Sequence, residues 1–417
     1  GEDALRVNTT GTQNAAVGAY ALDVNTTASG NTGLGYFGLS ANTTGADNTA
    51  VGNQALAANT TGAENVAVGS YSLDANTTAS YNTAVGHYAL GANTTGARNT
   101  GIGRTALQTN TTGTYNVALG MNALQVSTTA DNNTAVGYNA MALNTTGATN
   151  VAVGAYALDA NTTAANNTGI GYNALGANTT GTFNTALGRQ ALLSNTTADN
   201  NTAIGGNALF QNTTGTANVA MGAYALDSNT TADNNTAVGY SALEANTTGA
   251  NNTAVGAYAL DANTTGGYNA ALSRQALSGN TTGTYNTAAG SSALYTNTTG
   301  ANNVAIGADA LLSNTTADNN IAVGKDALKA NTTGASNTAV GGKSLDANTT
   351  GTRNVAVGYE AATAGTIGRY NTALGYGSLK TDVDGDYVTA VGYEALSSQE
   401  SDSANQAVYN TAVGAYA

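Results

Sequence analysis

The sequence predicts an all-β protein, a parallel β-solenoid of about 24 coils, from three observations. An Asn stands at every seventeenth position from Asn14 to Asn371, 22 times without a break. The pattern between these asparagines, N-T-A-V-G-x-x-A-L-x-x-N-T-T-G-x-x, is rich in β-branched residues and too short for a pair of helices, which needs about 33 residues. The 417 residues contain no Pro, as expected where nearly every backbone N–H donates to a ladder.

The columns of the pattern are numbered from its first Asn, so Asn14 lies in column 1. Column 2 is mostly Thr or Val, and column 4 is apolar in every copy. Because successive strand residues point to opposite sides, we expect columns 2 and 4 to face inward and column 3 to face outward. Column 3 is Ala except at Gly33, Gly101 and Gly169. Such small outward residues would let a second rod pack closely, so we expect side-by-side association through column 3.

The remaining repeated columns predict bends and ladders. Column 5 is Gly except at Ser273, which indicates a bend with positive φ or a close backbone approach. Column 9 is Leu except at Met141 and Ala362, an inward anchor. We expect two strands per coil, around T-A-V and around N-T-T, with Asn amides stacked in ladders between coils. The regular repeats span 1–379, and 380–417 form an irregular continuation with an acidic turn and a five-residue insertion before Asn410.

Composition excludes several classes of protein. The formal charge of −13 disfavours nucleic acid as a partner, because phosphate would be repelled. With no Cys there is neither a disulfide framework nor a thiolate metal site. No apolar run reaches the roughly 20 residues of a membrane-spanning helix. The single His, His87, lies in a variable column, and no nucleophile–base pair or phosphate loop is evident. We therefore expect a protein that is not an enzyme.

The phrase N-T-A-V-G, as at 48–52 and 235–239, resembles the head repeats of YadA-like trimeric autotransporter adhesins. It is also similar to repeat regions of phage tail fibres and bacterial surface proteins. The resemblance implies a left-handed parallel β-roll, often trimeric and displayed outside a cell or virion. The adhesin heads have a somewhat shorter period, so the A-L turn would be an elaboration.

These observations lead us to expect an extracellular or cell-surface structural fibre, or an adhesin shaft or head, that associates with copies of itself. The alternative is the shaft of a phage or virion tail fibre. A further alternative is an ice-binding solenoid, although two adjacent threonines on a strand would point to opposite sides. Tyrosines in variable columns, such as Tyr20, Tyr71, Tyr156 and Tyr258 in column 7, are compatible with binding to glycans or a host surface, and equally with an ordinary surface role.

Calcium is the one cofactor that the sequence suggests. In the stretch 381–387, T-D-V-D-G-D-Y, the residues Asp382, Asp384 and Asp386 alternate as oxygen ligands do in calcium loops, and Gly385 permits a sharp turn. The Glu that completes such a loop is not at the expected distance. The alternative is an exposed acidic turn with no bound metal.

Each N-T-T is also an acceptor sequence for N-glycans, and several copies follow an acidic residue. The alternative is a corner ladder, which Ser127 supports if its hydroxyl keeps the hydrogen bond of the Asn it replaces. We predict glycosylation of Asn or Thr on some coils. The candidate asparagines are Asn8, Asn25, Asn42, Asn59, Asn76, Asn93, Asn110, Asn144, Asn161, Asn178, Asn195, Asn212, Asn229, Asn246, Asn263, Asn280, Asn297, Asn314, Asn331 and Asn348.

Overall fold

A computed structural model of the chain describes residues 1–401 and 407–417. Short parallel strands are stacked in a β-solenoid with a spacing of 17 residues, and the described residues contain no helix. The predicted fold class is therefore confirmed. Contacts divide the chain into two compact units, Gly1–Asn207 and Ala208–Ala417. The boundary drawn from the sequence at 379/380 lies inside the second unit.

The first unit contains twelve strands of three residues, each paired in parallel with the next. Register is set by the repeat, because each residue pairs with the residue 17 positions later, as Ala15 does with Thr32. The strands are β1 Ala15–Val17, β2 Thr32–Leu34, β3 Thr49–Val51, β4 Val66–Val68, β5 Thr83–Val85, β6 Thr100–Ile102, β7 Val117–Leu119, β8 Thr134–Val136, β9 Val151–Val153, β10 Thr168–Ile170, β11 Thr185–Leu187 and β12 Thr202–Ile204.

The second unit repeats this arrangement with twelve strands. They are β13 Val219–Met221, β14 Thr236–Val238, β15 Thr253–Val255, β16 Ala270–Leu272, β17 Thr287–Ala289, β18 Val304–Ile306, β19 Ile321–Val323, β20 Thr338–Val340, β21 Val355–Val357, β22 Thr372–Leu374, β23 Thr389–Val391 and β24 Thr411–Val413. Thr389 pairs with Thr411, so the five-residue insertion leaves the strand register intact. Residues 402–406, in the segment that carries the insertion, lie outside the described part of the chain.

The direction of the strand side chains is opposite to the prediction. The middle residue of each strand from β2 to β23, in column 3, is buried, whereas columns 2 and 4 are half-buried or exposed. The interior is narrow: a Cβ built at Gly33 would lie 3.3 Å from Cγ of Leu22, the column 9 residue of the preceding coil. Only Ala or Gly therefore fits opposite the buried Leu. Column 3 lines the core and cannot be the surface through which rods associate.

The backbone turns through positive φ at fixed columns. Glycines of column 5 have φ near that of Gly154, 134°, and a Cβ there would lie 2.5 Å from the carbonyl oxygen of Gly171 in the next coil. Ser273 holds the same bend at φ 123°. Columns 7, 9 and 17 also have positive φ, mostly at residues other than Gly, as at Leu158 with φ 51°. Burial of the leucine compensates for a conformation that bulky residues rarely adopt.

The prediction of a second strand around N-T-T is wrong, since the described coils contain one strand each and N-T-T forms a bend. The backbone N–H groups of Thr43 and Thr44 both donate to the carbonyl oxygen of Thr60 in the next coil, at 2.9 and 3.2 Å. The N-T-T segments of successive coils are therefore hydrogen-bonded side by side, as the strands are. Their side chains, however, do not alternate between two faces as those of a strand do. The two threonines are therefore not forced to opposite sides, which removes the sequence argument against a threonine surface.

Candidate functional site

One outward surface, here named the strand face, consists of the side chains of columns 2 and 4 in each unit. Column 4 stays apolar in every coil although it faces outward; Leu119 and Leu187 are each 45% exposed and Leu272 is 44% exposed. Large apolar surfaces that remain exposed usually mark an interaction site. The strand face is therefore a candidate for contact with another surface.

Tyrosines flank the strand face in columns 6, 7 and 17. Where neighbouring coils both carry Tyr, the rings pack together: the centroids of Tyr370 and Tyr387 are 4.9 Å apart, and those of Tyr376 and Tyr393 are 5.2 Å apart. His87 is exposed and packs edge-on against Tyr88. These rings broaden the apolar surface at its margins.

A second outward surface, the threonine row, is formed by the second Thr of each N-T-T, in column 14. Its side chains are exposed, and their hydroxyls make no hydrogen bond within 1–401 and 407–417. The preceding Thr is half-buried and bonded, as where Oγ1 of Thr43 donates to the carbonyl oxygen of Thr60 at 3.0 Å. The row comprises Thr10, Thr27, Thr44, Thr61, Thr78, Thr95, Thr112, Thr129, Thr146, Thr163, Thr180 and Thr197 in the first unit, and Thr214, Thr231, Thr248, Thr265, Thr282, Thr299, Thr316, Thr333 and Thr350 in the second.

The asparagine ladder of column 12 fixes the bend that presents this row. Nδ2 of Asn161 donates to Oδ1 of Asn144 at 2.8 Å and to the carbonyl oxygen of Ala164 at 3.1 Å. Nδ2 of Asn178 donates in turn to Oδ1 of Asn161 at 3.1 Å. The predicted ladder role of these asparagines is therefore confirmed. Column 1 forms a similar ladder, in which Oδ1 of Asn31 accepts from the backbone N–H of Asn48 at 3.0 Å.

Burial of the ladder bears on glycosylation. All candidate asparagines except half-buried Asn8 are buried, and Nδ2 is the atom to which an N-glycan would be attached. A sugar on a folded coil would have to replace internal hydrogen bonds, which argues against N-glycans on these coils. The exposed hydroxyls of the motif are those of the threonine row.

Ser127 breaks the ladder, contrary to the expectation that its hydroxyl keeps the hydrogen bond. Oγ of Ser127 and Oδ1 of Asn110 are both buried without a partner in the described structure. A Ser side chain is one atom too short to reach the neighbouring amide. The coil therefore carries a local defect beneath the threonine row.

The three predicted calcium ligands bind separate protein donors. Asp382 occupies a ladder position, is buried, and accepts hydrogen bonds from Ser401 Oγ and Gln399 Nε2. Asp384 accepts from Thr366 Oγ1 at 3.1 Å. Asp386 accepts from the backbone N–H of Arg369 at 2.7 Å. No group of three or more His, Cys, Asp or Glu side chains in the described residues is placed to hold a metal ion, so the geometry gives the calcium prediction no support.

Acidic residues also stack in column 10, two residues before the Asn of the N-T-T motif. Asp227, Glu244 and Asp261 occupy three successive coils of the second unit. Burial, with a smaller contribution from Glu244, raises the pKa of Asp227 to about 6. Burial also raises the pKa of Asp261, although a hydrogen bond from Ser278 to its Oδ1 at 2.6 Å opposes the shift.

The fold and these surfaces define the chain as a β-solenoid repeat protein. Among the described residues, no helix is long and apolar enough to cross a membrane. Neither the family models nor the curated proteins that were compared with the chain give a match.

Proposed function

We propose that the protein is a structural fibre of the cell surface or extracellular space, in which solenoids associate side by side through the strand face. The observation that carries this proposal is the outward apolar column 4, which contains Val, Leu, Ile, Met or Ala and never a polar residue. Exposure to solvent gives no reason to keep a position apolar. Contact with a second molecule, which buries these side chains, would explain why column 4 stays apolar.

A second copy of the chain is the occupant that best fits this surface. Strands repeat on both molecules at the same spacing of about 4.8 Å, so apolar side chains of one copy can fit between those of the other along many coils. Identical patches meet readily in closed symmetric assemblies. The interior offers further support, because each coil buries mainly Ala, Leu and Asn side chains and would gain apolar burial from such contact.

The placement outside the cell and the role as an adhesin shaft or head rest on the resemblance to YadA-like head repeats. The same resemblance supports the shaft of a tail fibre as the alternative. A repetitive, weakly charged solenoid suits both roles, which need length and regularity and no catalytic site. An image of the native particle that showed the chain at a virion tail would favour the alternative.

Sedimentation of paired variants tests the association. Leu119→Asp combined with Leu187→Asp places charges on the strand face of the first unit and should convert the assembly to a monomer. Leu143→Asp is the matched control, because Leu143 is 53% exposed but lies in column 11, away from the strand face. The control should keep the mass of the wild-type assembly. A wild-type protein that is folded and monomeric at micromolar concentration would refute the proposal.

A further inference from the structure

The threonine row is constrained more tightly than its exposure explains. All 21 copies of column 14 from Thr10 to Thr350 are Thr, although the side chains are exposed and unbonded within the described residues. Neighbouring outward columns vary widely: column 17 holds Tyr115, Asn132 and Thr149 in successive coils. The internal hydrogen bonds of the coil account for the Asn and the first Thr of the motif. They leave the second Thr unexplained, so its constraint comes from outside the coil.

The spacing of the row fits hydrogen-bonded water. Successive coils place equivalent atoms about 4.8 Å apart. Two O–H···O bonds of about 2.75 Å that meet at the tetrahedral angle place their outer oxygens about 4.5 Å apart. One water molecule can therefore bridge each pair of adjacent threonine hydroxyls. A run of such bridges forms a line of waters with nearly the repeat of a tetrahedral water network.

The surroundings of the row are small over a run of coils in the first unit. Column 11 holds Ala160, Ala177 and Ser194 in successive coils, and column 16 holds Ala148 and Ala165 before a Thr, although the exposed Leu143 precedes this run in column 11. Most bulky aromatic side chains lie at the strand face and its margins. The buried asparagine ladder beneath the row holds the bend in place, as the bonds of Asn161 show. An ordered surface can therefore approach the row along several coils of a unit.

We propose that the threonine row binds ice, by ordering a line of bridging waters that merges with the ice lattice. The hydroxyls hold the waters and the γ-methyl groups fill the spaces between them. This activity is independent of the proposed association, since it uses a different surface of the coil. A bare row in an assembled fibre would give many aligned copies of the same site.

Thermal hysteresis and the shaping of ice crystals test the proposal on the full chain. We expect the wild-type protein to show both. The double variant Thr112→Tyr, Thr146→Tyr places bulky rings in the row of the first unit and should lower the hysteresis, while the unchanged threonines of the second unit retain part of it. The matched control makes the same change in column 17, with Asn132→Tyr and Thr149→Tyr beside the natural Tyr115, and should keep it. Circular dichroism melting verifies that both variants fold.

A third variant separates the hydroxyls from the shape of the row. Thr112→Val combined with Thr146→Val keeps the volume and removes the bridging oxygens, and we expect a clear reduction of hysteresis. Unchanged activity in this variant would overturn the water-bridging proposal. Absence of hysteresis and ice shaping by the folded wild-type protein would also overturn it. So would binding of the row to an insoluble polysaccharide without any effect on ice.

Discussion

The strand face and the threonine row are both exposed, yet they are conserved between coils in different ways. Column 4 of the strand face keeps its apolar character while its residue changes among Val, Leu, Ile, Met and Ala. Column 14 keeps a single residue, Thr, through 21 copies. Side chains that are buried against a deformable protein surface can vary in shape at modest cost. A row that matches a regular lattice cannot vary in this way. The different constraints on columns 4 and 14 therefore fit two different proposed functions, association of copies and binding of ice.

Support from the interior also differs between the two surfaces. The strand face lies on a backbone ladder with alanines behind it. The threonine row lies on a bend whose position depends on the side-chain hydrogen bonds of the asparagine ladder. Breaking the ladder should therefore damage the row and its coil, whereas changing the row itself should leave the coil intact.

The largest expected effect comes from removing one ladder asparagine. Asn161→Ala leaves Oδ1 of Asn144, the carbonyl oxygen of Ala164 and Nδ2 of Asn178 without their bonds to the side chain. Only Oδ1 of Asn144 is then left unpaired, because the carbonyl oxygen of Ala164 also accepts from Asn150 and Nδ2 of Asn178 also donates to Gly181. At about 1–3 kcal/mol for the unpaired group and about 0.5–1.5 kcal/mol for each of the two other lost bonds, the free energy of unfolding should fall by about 2–4 kcal/mol. Denaturant unfolding measures the change. Thr163→Ala in the threonine row is the control and should change the free energy of unfolding by less than about 0.5 kcal/mol. Equal losses of stability in the two variants would show that the ladder does not support the coil more than the row does.

Repair of the natural break in the ladder should have the opposite effect. Ser127→Asn supplies an amide that can donate to the unpaired Oδ1 of Asn110. We expect the free energy of unfolding to rise by about 1–3 kcal/mol, because the buried Oδ1 of Asn110 gains a partner and the unpaired hydroxyl of Ser127 is removed. Denaturant unfolding again provides the measurement. A loss of stability would show that the coil at Ser127 has adapted to the shorter side chain.

The strand face carries a defect of its own, at its edge. Ser273 holds φ 123° in a column that is otherwise Gly, and Ser273→Gly should raise the free energy of unfolding by about 1 kcal/mol through release of backbone strain. The control is Ser313→Gly, at a position without positive φ. It should lower stability slightly because Gly gains backbone freedom in the unfolded chain. Equal changes in the free energy of unfolding for the two variants would show that the backbone at Ser273 is not strained.

The smallest expected effect depends on pH. Burial raises the pKa of Asp227 to about 6 from 3.8, with Glu244 adding to the shift. The folded state thus holds this proton more tightly than the unfolded chain, so the stabilisation is complete below pH 3.8 and is lost as the pH rises through about 6. The melting temperature of Asp227→Asn should fall less than that of the wild type over this interval. The exposed Asp47→Asn is the control and should follow the wild type.

Much of the fold could be predicted because one period dominates the sequence. The 17-residue spacing and the repeated Asn predict a parallel stack with amide ladders, and the structure contains both. Whether a column faces in or out could not be predicted from hydrophobicity, since the large apolar residues of column 4 face outward and the alanines of column 3 face inward. The decisive quantity is the width of the interior, where the 3.3 Å approach at Gly33 leaves no room beyond a methyl group. Sequence periodicity does not report that width.

The candidate surfaces were less accessible from the sequence for the same reason. Columns 2 and 4 were expected to form the core, but their side chains face outward and form the strand face. The bend at N-T-T placed one Thr against the next coil and exposed the other, as Thr43 and Thr44 show. One signal was available in the sequence: column 14 is Thr in all 21 copies of the motif from Thr10 to Thr350. Without the geometry of the bend, this exposed column could not be distinguished from the buried or half-buried columns beside it, which are also nearly invariant.

The most direct test of the account is the rate at which a thiol reagent labels single cysteines in this Cys-free chain. Val153→Cys places a thiol on the strand face at β9, and Thr146→Cys places one in the threonine row of the neighbouring segment. In the wild-type assembly we predict slow labelling of Cys at 153 and fast labelling at 146. Both should react rapidly once Leu119→Asp and Leu187→Asp have separated the copies. Rapid labelling at 153 in the undisrupted protein would contradict the claim that the strand face is covered.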